Sequence, residues 1–584
     1  MKKYFFSILL ILILSVAIFL RVYNLNQAPP GVWYDEAYNG LDAIKAMETG
    51  DYKIFYPENY GREGLYINIL AISFKIFGVN NFALRFPSAF FGILTIVGFY
   101  FLLKNLKLNK TTILLGIFTL TTSFYHLNFS RIAFRAIMVP FLLTWSFYFF
   151  SKGFYIVKDK TLGKTKSMKR NDNEALKSSF VKQIFKTLNN PLFNFFMSGL
   201  LTGLGLHTYI AYRVVPLIFV IILFVSLIIY KRFLPNYWKA ILIFLVGAII
   251  TAGPILFYFQ QNPSTFTGRT DAVSIFNSPE MTTTEAFIKS FSYHLQSFFF
   301  VGDGNQRHNY NSLPLLPAVW ALFFAIGFFI SLKEILSNLF KRIFIKTKFK
   351  PTKLFFPSLI GQAIFWTMLT PGVLSLEGIP HALRIIGTIP AVFLLTVLPF
   401  EYLSRLYKHL KNSPFYALKR WRWKIMQTTF FVLIITFTLT GVFQIFTYFQ
   451  LWATSPKTAE AFQQDLYQFG QFIKQQPLQK NNYLLLANNV SINKNNRSDF
   501  AEKSLLFSGY PAIKNYKAYN INEDITGMVN GDAIDCSDSQ FILQQNLPLL
   551  AIKKINNYCP ELKLQEIPVP NKATTTSQKF WVLR

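Results

Sequence analysis

The sequence predicts an α-helical protein that crosses a membrane many times and ends in a small α/β domain. Three observations predict it. Hydrophobic residues fill 52% of the 584 positions, and 65 of them are Phe, which is too apolar for a soluble enzyme. These residues gather in runs long enough to enter a bilayer as helices. Lys and Arg gather in the short segments between the runs, and the composition turns polar after Gln450.

The elements follow in order. The first run, 4–22, stands behind Met1-Lys2-Lys3, a basic start that favours a cytoplasmic N-terminus. No small-residue cleavage site precedes Arg21, so the run reads as a span rather than a signal peptide. Further runs lie near 83–103, 111–127, 132–150, 192–208, 211–230, 238–259, 313–332, 354–370, 383–402 and 426–449, giving about eleven spans. Alternation from an inside start puts 104–110, 151–191, 231–237, 333–353 and 403–425 inside, and each is net basic. Segment 151–191 alone has ten basic and three acidic residues, a charge suited to anionic lipid. Loops 23–82, 260–312 and 371–382 and the tail then fall outside. In 23–82 the acids outnumber the bases. The chain therefore divides into a membrane domain, 1–450, with long outer loops 23–82 and 260–312, and an extracytoplasmic α/β domain, 451–584.

Two stretches of the first outer loop read as helices lying at the interface. Stretch 35–48 carries Tyr38, Leu41, Ile44 and Met47 at helical spacing, and 64–77 is apolar but too short to cross. In the tail, 457–475 reads as one amphipathic helix, and Tyr483–Ala487, Phe541–Leu543, Leu549–Ile552 and Phe580–Leu583 as short strands. Cys536 and Cys559 are the two cysteines of the chain. Both fall in the part placed outside, where thiols oxidise, and a disulfide between them is expected, with two free buried thiols as the alternative. The net charge of +31 would suit nucleic acid, but no basic stripe falls on a soluble domain, so nucleic-acid binding is excluded.

The stretch with the most chemistry is Trp33-Tyr34-Asp35-Glu36-Ala37-Tyr38, just past the turn Pro29-Pro30-Gly31. Two adjacent carboxylates outside the first span suit an enzyme whose substrate is held in lipid. They equally suit the cap and first turn of helix 35–48. Neighbours on a helix point about 100° apart, so both acids cannot face one substrate atom. With Arg21-Val22-Tyr23, Gly61-Arg62-Glu63-Gly64-Leu65-Tyr66 and Ala83-Leu84-Arg85-Phe86-Pro87, this stretch resembles the membrane glycosyltransferases of the protein O-mannosyltransferase and aminoarabinose transferase superfamily, a glycosyltransferase family 39-like group. The resemblance covers about residues 1–450 and implies the GT-C fold. It implies transfer of a sugar from a polyprenyl-phosphate donor to an extracytoplasmic glycan, lipid or protein, with inversion by single displacement at the outer face. Asp35 would be the general base and Glu36 its neighbour in the site.

The departing lipid phosphate needs cations. Arg384, Arg62, Arg131 and Arg213 are the candidates for it, with Arg135 beside Arg131. Snorkelling at the interface is the alternative for each, and pairing with Glu63 the alternative for Arg62. Glu63, Tyr66, Tyr209, Arg269, Asp303, Arg307, His308 and His381 are further candidates for substrate contact. Arg85 suits a structural role or substrate contact equally. Many relatives have prolines where Arg62 and Glu63 stand, so the phosphate partner is open there. The six His show no zinc spacing, and no phosphate loop or dinucleotide fingerprint occurs. No cofactor is required, although a divalent cation held by outer-loop carboxylates stays open. A lipid-linked oligosaccharide polymerase or ligase, and a polyprenyl-lipid flippase or transporter, are the rival classes. The second predicts polar or broken spans near the midplane and often two related halves; no such repeat is found, and the acids lie outside the spans.

Overall fold

A computed structural model describes residues 2–161, 187–230, 232–277, 280–345, 350–411, 420–477, 481–486, 502–520, 539–543, 560–561, 563–569 and 578–583. Within them the apolar runs are helices. Eight are long and apolar enough to cross a membrane: Tyr4–Val22, Asn81–Asn105, Arg135–Asp159, Ile210–Ile229, Phe233–Gln261, Ala318–Phe344, Ile386–Leu406 and Gln427–Trp452. The chain is a multi-pass membrane protein. The other three expected spans are helical as well, at Lys110–Thr122, Pro191–Leu204 and Phe355–Val373. The first two have 13 and 14 residues, short of the roughly 20 that a lone span needs. Large apolar side chains such as Phe5, Ile8, Phe224, Ile249 and Phe329 stay exposed on the outer helix faces, as a lipid-facing surface requires.

The first long loop, 23–82, is built on the second helix, Tyr34–Thr49, and the short apolar helix Leu65–Phe77, with strands β1 (Phe55–Tyr56) and β2 (Arg62–Glu63) paired antiparallel between them. Its anchor is a buried ion pair. Arg85, near the start of helix Asn81–Asn105, donates from Nε to Glu36 Oε1 (3.0 Å) and from Nη2 to Glu36 Oε2 (3.1 Å). The same guanidinium donates to the carbonyls of Pro29 (2.7 Å) and Gly31 (2.8 Å). Glu36 also accepts the backbone N–H groups of Trp33 (3.1 Å) and Ala133 (2.8 Å). Neither side chain is exposed. A fully buried charge pair survives only when its remaining hydrogen-bonding capacity is met, as it is here.

The second long loop, 260–312, forms helices Pro263–Val273 and Thr283–Gln296, the latter opened by a reciprocal Thr282–Glu285 cap. In the tail, β3 (Asn481–Leu486), β4 (Lys517–Asn520), β5 (Ser539–Leu543), β6 (Leu564–Val569) and β7 (Gln578–Leu583) form one sheet in the order β4-β3-β5-β7-β6. The inner strand β3 is parallel to both neighbours, and β7 is antiparallel to β5 and β6. Strands β4 and β6 have no counterpart in the sequence reading. The expected strand at 549–552 lies outside the described residues, as do Cys536 and Cys559.

The expected single helix 457–475 is corrected to two, Pro456–Ala461 and Gln464–Gln475, broken where Gln463 takes a φ of +51°. The break brings the backbone of 462–464 against Gly31, whose φ is +67° and where any Cβ would lie 2.4 Å from the Phe462 carbonyl oxygen. Beyond it, helix Glu502–Gly509 packs on helix Tyr34–Thr49, with Ser504 Oγ donating to the Val32 carbonyl at 2.8 Å. Trp452 Nε1 donates to the Gln306 carbonyl (2.7 Å), and Gln306 Nε2 donates to Thr458 Oγ1 (3.1 Å). The tail thus touches both long outer loops.

Replacing Arg85 by Met leaves Glu36 as an uncompensated buried charge. Thermal melts of the purified protein should show a loss of about 3–5 kcal/mol of stability. A melt equal to wild type would show that the pair does not hold the loop.

Candidate functional site

The long loops and residues 134–136 and 209–214 line a cavity of about 950 Å³. One wall carries Asp35 in the first turn of helix Tyr34–Thr49, where a carboxylate also suits the helix dipole. Both of its oxygens are held: Oδ1 accepts Asn59 Nδ2 at 2.9 Å and Oδ2 accepts Trp33 Nε1 at 3.2 Å. The Arg307 guanidinium lies 3.4 Å from the centre of the Trp33 ring and is steered by an Nε hydrogen bond to Asn305 Oδ1 at 2.9 Å. Burial lowers the Arg307 pKa, and the nearby charges of Asp35 and Asp303 oppose that shift.

Another part of the lining is cationic, with Arg135, Arg213, Arg269 and Arg384 beside Glu63 and Glu377. Glu63 is buried between two of them. Its Oε2 accepts Arg135 Nε at 3.1 Å, and its Oε1 lies 3.6 Å from Arg213 Nη2. Arg135 also sits over the Tyr209 ring at 5.3 Å. Glu377 Oε2 accepts Arg269 Nη2 at 2.7 Å and Arg384 Nη2 at 2.5 Å. Counting formal charges, this wall is positive by two, which matches a phosphate monoester dianion.

A third group joins the two walls. Asp303 Oδ2 accepts His308 Nδ1 at 2.9 Å and the Ala382 N–H at 2.8 Å, and lies 4.0 Å from His381 Nδ1. Burial would raise the Asp303 pKa, but His308, His381 and the Asn305 N–H together bring it down to about 2. Burial lowers the pKa of His381 well below its usual value. Its Nδ1 is buried without a hydrogen-bond partner. The ligand atoms of Asp303, His308 and His381 all lie within 4.8 Å of one another, and all three residues line the cavity. One carboxylate and two imidazoles with an open side make a donor set that fits a divalent transition metal.

Asp35, Glu63, Tyr209, Arg213, Arg269, Asp303, Arg307, His308, His381 and Arg384 therefore share one cavity. Four expected residues do not join them. Glu36 is spent on Arg85, Trp33 and Ala133. Arg62 is buried on Asn39 Oδ1 (2.9 Å) and Asp42. Arg131 donates to the carbonyls of Leu20 (2.6 Å), Tyr23 (2.7 Å) and Ala28 (2.9 Å). Tyr66 is buried on Ser88 Oγ at 2.6 Å. Their polar atoms are satisfied inside the scaffold, and none of the four lines the cavity. The sequence reading missed Asn59 and Glu377. The one signal for Glu377 was an acid seven residues before Arg384 in the short outer loop.

Residues 60–169 match the family model described as dolichyl-phosphate-mannose-protein mannosyltransferase. An uncharacterized protein of Aquifex aeolicus is 29% identical over 152 residues, which span 25% of this chain and 29% of that protein. The chain thus spans less than a third of that curated relative. Among solved structures, ArnT from Cupriavidus metallidurans in the apo state is similar over 98% of this chain and 97% of its own, with a TM-score of 0.51 and 11% identity. Its form bound to undecaprenyl phosphate covers the same shares with a TM-score of 0.48 and 11% identity. This chain has the GT-C fold.

Metal analysis tests the Asp303–His308–His381 cluster. Full-length protein incubated with Zn²⁺ and desalted should retain about one equivalent, and His381→Ala should lose it. Equal retention by both would show that the cluster does not hold the ion.

Proposed function

We propose that the chain is a membrane glycosyltransferase that moves a sugar from a polyprenyl-phosphate donor to an acceptor outside the cytoplasm. The observation that carries this reading is one cavity with a single half-buried carboxylate, Asp35, on one wall and four arginines on another. The family model at 60–169 supports the reaction class. The basic inner segments support an outward-facing cavity, with the N-terminus inside and the tail outside.

In this reading the acceptor's hydroxyl or amine meets Asp35, which takes its proton as the oxygen or nitrogen attacks the anomeric carbon. The N–H donors of Trp33 and Asn59 fix both carboxylate oxygens, so the base enters the reaction already oriented. The bond between the anomeric carbon and the phosphate oxygen breaks as the new bond forms, which inverts the centre in one displacement. The leaving group is a phosphate, so charge rather than a proton must be supplied to it. Arg384, Arg269, Arg213 and Arg135 surround the place where that charge develops. Arg307, stacked on Trp33, links the acid wall to the loop of Asp303. A divalent cation held by Asp303, His308 and His381 would add positive charge at the same edge.

Asp35→Asn keeps the shape of the side chain but cannot take the proton. Sugar transfer in proteoliposomes should fall by roughly 10²–10⁴-fold, with the protein still folded and inserted. Near-normal transfer would end the assignment of the base. Arg384→Ala should lower kcat/KM for the donor by the loss of about 1.5–3 kcal/mol of charge-assisted contact. Arg384→Lys should recover only part, because Lys lacks the planar fork.

A further inference from the structure

Glu377 is placed unlike any other acid of the cavity. Two guanidinium groups, each able to grip an oxyanion with two N–H donors, share its single oxygen Oε2. Arg384 Nη1 is left buried with no hydrogen-bond partner. Glu63 faces the same number of arginines differently: it gives a separate oxygen to each, and its side chain is 2% exposed. The Glu377 side chain is 54% exposed. Glu63 is thus built in, whereas Glu377 covers its arginines from the solvent side.

The backbone around Glu377 separates its movement from that of its partners. Helix Pro263–Val273, which carries Arg269, ends on a bridge to the segment just before Glu377. The Leu376 N–H donates to the Val273 carbonyl (2.9 Å) and the Ile275 N–H to the Leu374 carbonyl (3.2 Å). After Glu377 the chain turns at Gly378, whose φ is +67°. The side chain can therefore swing away while Arg269 and Arg384 keep their positions.

We infer that Glu377 is a displaceable internal stand-in for the donor phosphate. This rests on the reading above that Arg269 and Arg384 meet that phosphate. With no lipid phosphate present, the carboxylate keeps two like charges from repelling each other. The donor's phosphodiester, with two non-bridging oxygens, offers each guanidinium its own acceptor and displaces the carboxylate. After transfer the lipid product still carries its phosphate, and the returning carboxylate competes it off. Glu377 thereby lowers the affinity for donor and product alike and speeds product release.

The test measures binding of undecaprenyl phosphate to the full-length protein in nanodiscs, with undecaprenol and inorganic phosphate as separate probes. Glu377→Gln should bind undecaprenyl phosphate about 3–10-fold tighter than wild type, with slower release and an unchanged melting temperature without ligand. Undecaprenol binding should not change, and millimolar inorganic phosphate should not compete. Equal competition by inorganic phosphate would overturn the lipid assignment. Arg384→Ala serves as the gauge. If it binds undecaprenyl phosphate as wild type does, the phosphate reading itself fails. If it binds weakly but Glu377→Gln binds no tighter than wild type, the phosphate reading stands and the stand-in fails, leaving Glu377 as a residue that only orders the arginines.

Discussion

The outer half of this molecule hangs on one buried ion pair. Arg85 sits in a membrane helix, and Glu36 sits one residue from the acid that faces the cavity. Six hydrogen bonds join them to each other and to the backbone at Pro29, Gly31, Trp33 and Ala133. Because the pair is fully buried, neither charge tolerates a vacancy. The turn at 29–33, the start of helix Tyr34–Thr49 and the segment before Arg135 are thereby fixed to one point. Asp35 and Arg135, on different walls of the cavity, inherit their positions from it.

A general constraint separates scaffold from site here. An arginine at the edge of a bilayer is costly unless partnered, and among the described residues the kind of partner differs. Arg131 and Arg21 are bound mainly by backbone carbonyls, which cannot be exchanged for a ligand. Arg135, Arg269 and Arg384 are bound by carboxylates at the cavity wall, and Arg213 by the Phe266 carbonyl (2.6 Å) as well as by Glu63. A carboxylate can be replaced by another anion. Glu36 and Asp42 are carboxylates too, but they hold Arg85 and Arg62 away from the cavity lining, so partner and place together separate the two groups.

The membrane helices were legible in the sequence because apolar run length and basic flanks are local properties. The reading of Asp35 and Glu36 as diverging neighbours was also local, since it needed only the helical angle. The sorting of the arginines was not legible. Arg131 and Arg135 lie four residues apart, and the chain turns through a short 3₁₀ segment, Arg135–Ile137, between them and the next span. One reaches carbonyls of the first helix and its turn, and the other reaches Glu63. Only the packing of distant segments decides that outcome. The break at Gln463 was hidden for the same reason: it packs against Gly31, more than four hundred residues earlier. Asn59 gave no periodic signal because it stands with φ at +50° in a turn.

The tail's contacts with Gly31, Val32 and Gln306 have a consequence for how the protein is made. Chains emerge from the ribosome N-terminal end first. Residues 31–36 and 302–309, which carry both sides of the Trp33–Arg307 stack, are synthesised long before Trp452, Phe462 and Ser504 arrive to brace them. A nascent chain can therefore complete every membrane crossing and still have an unbraced cavity. The hydrogen bonds that Trp452 and Ser504 donate to the Gln306 and Val32 carbonyls therefore form only after the helices they brace have been made.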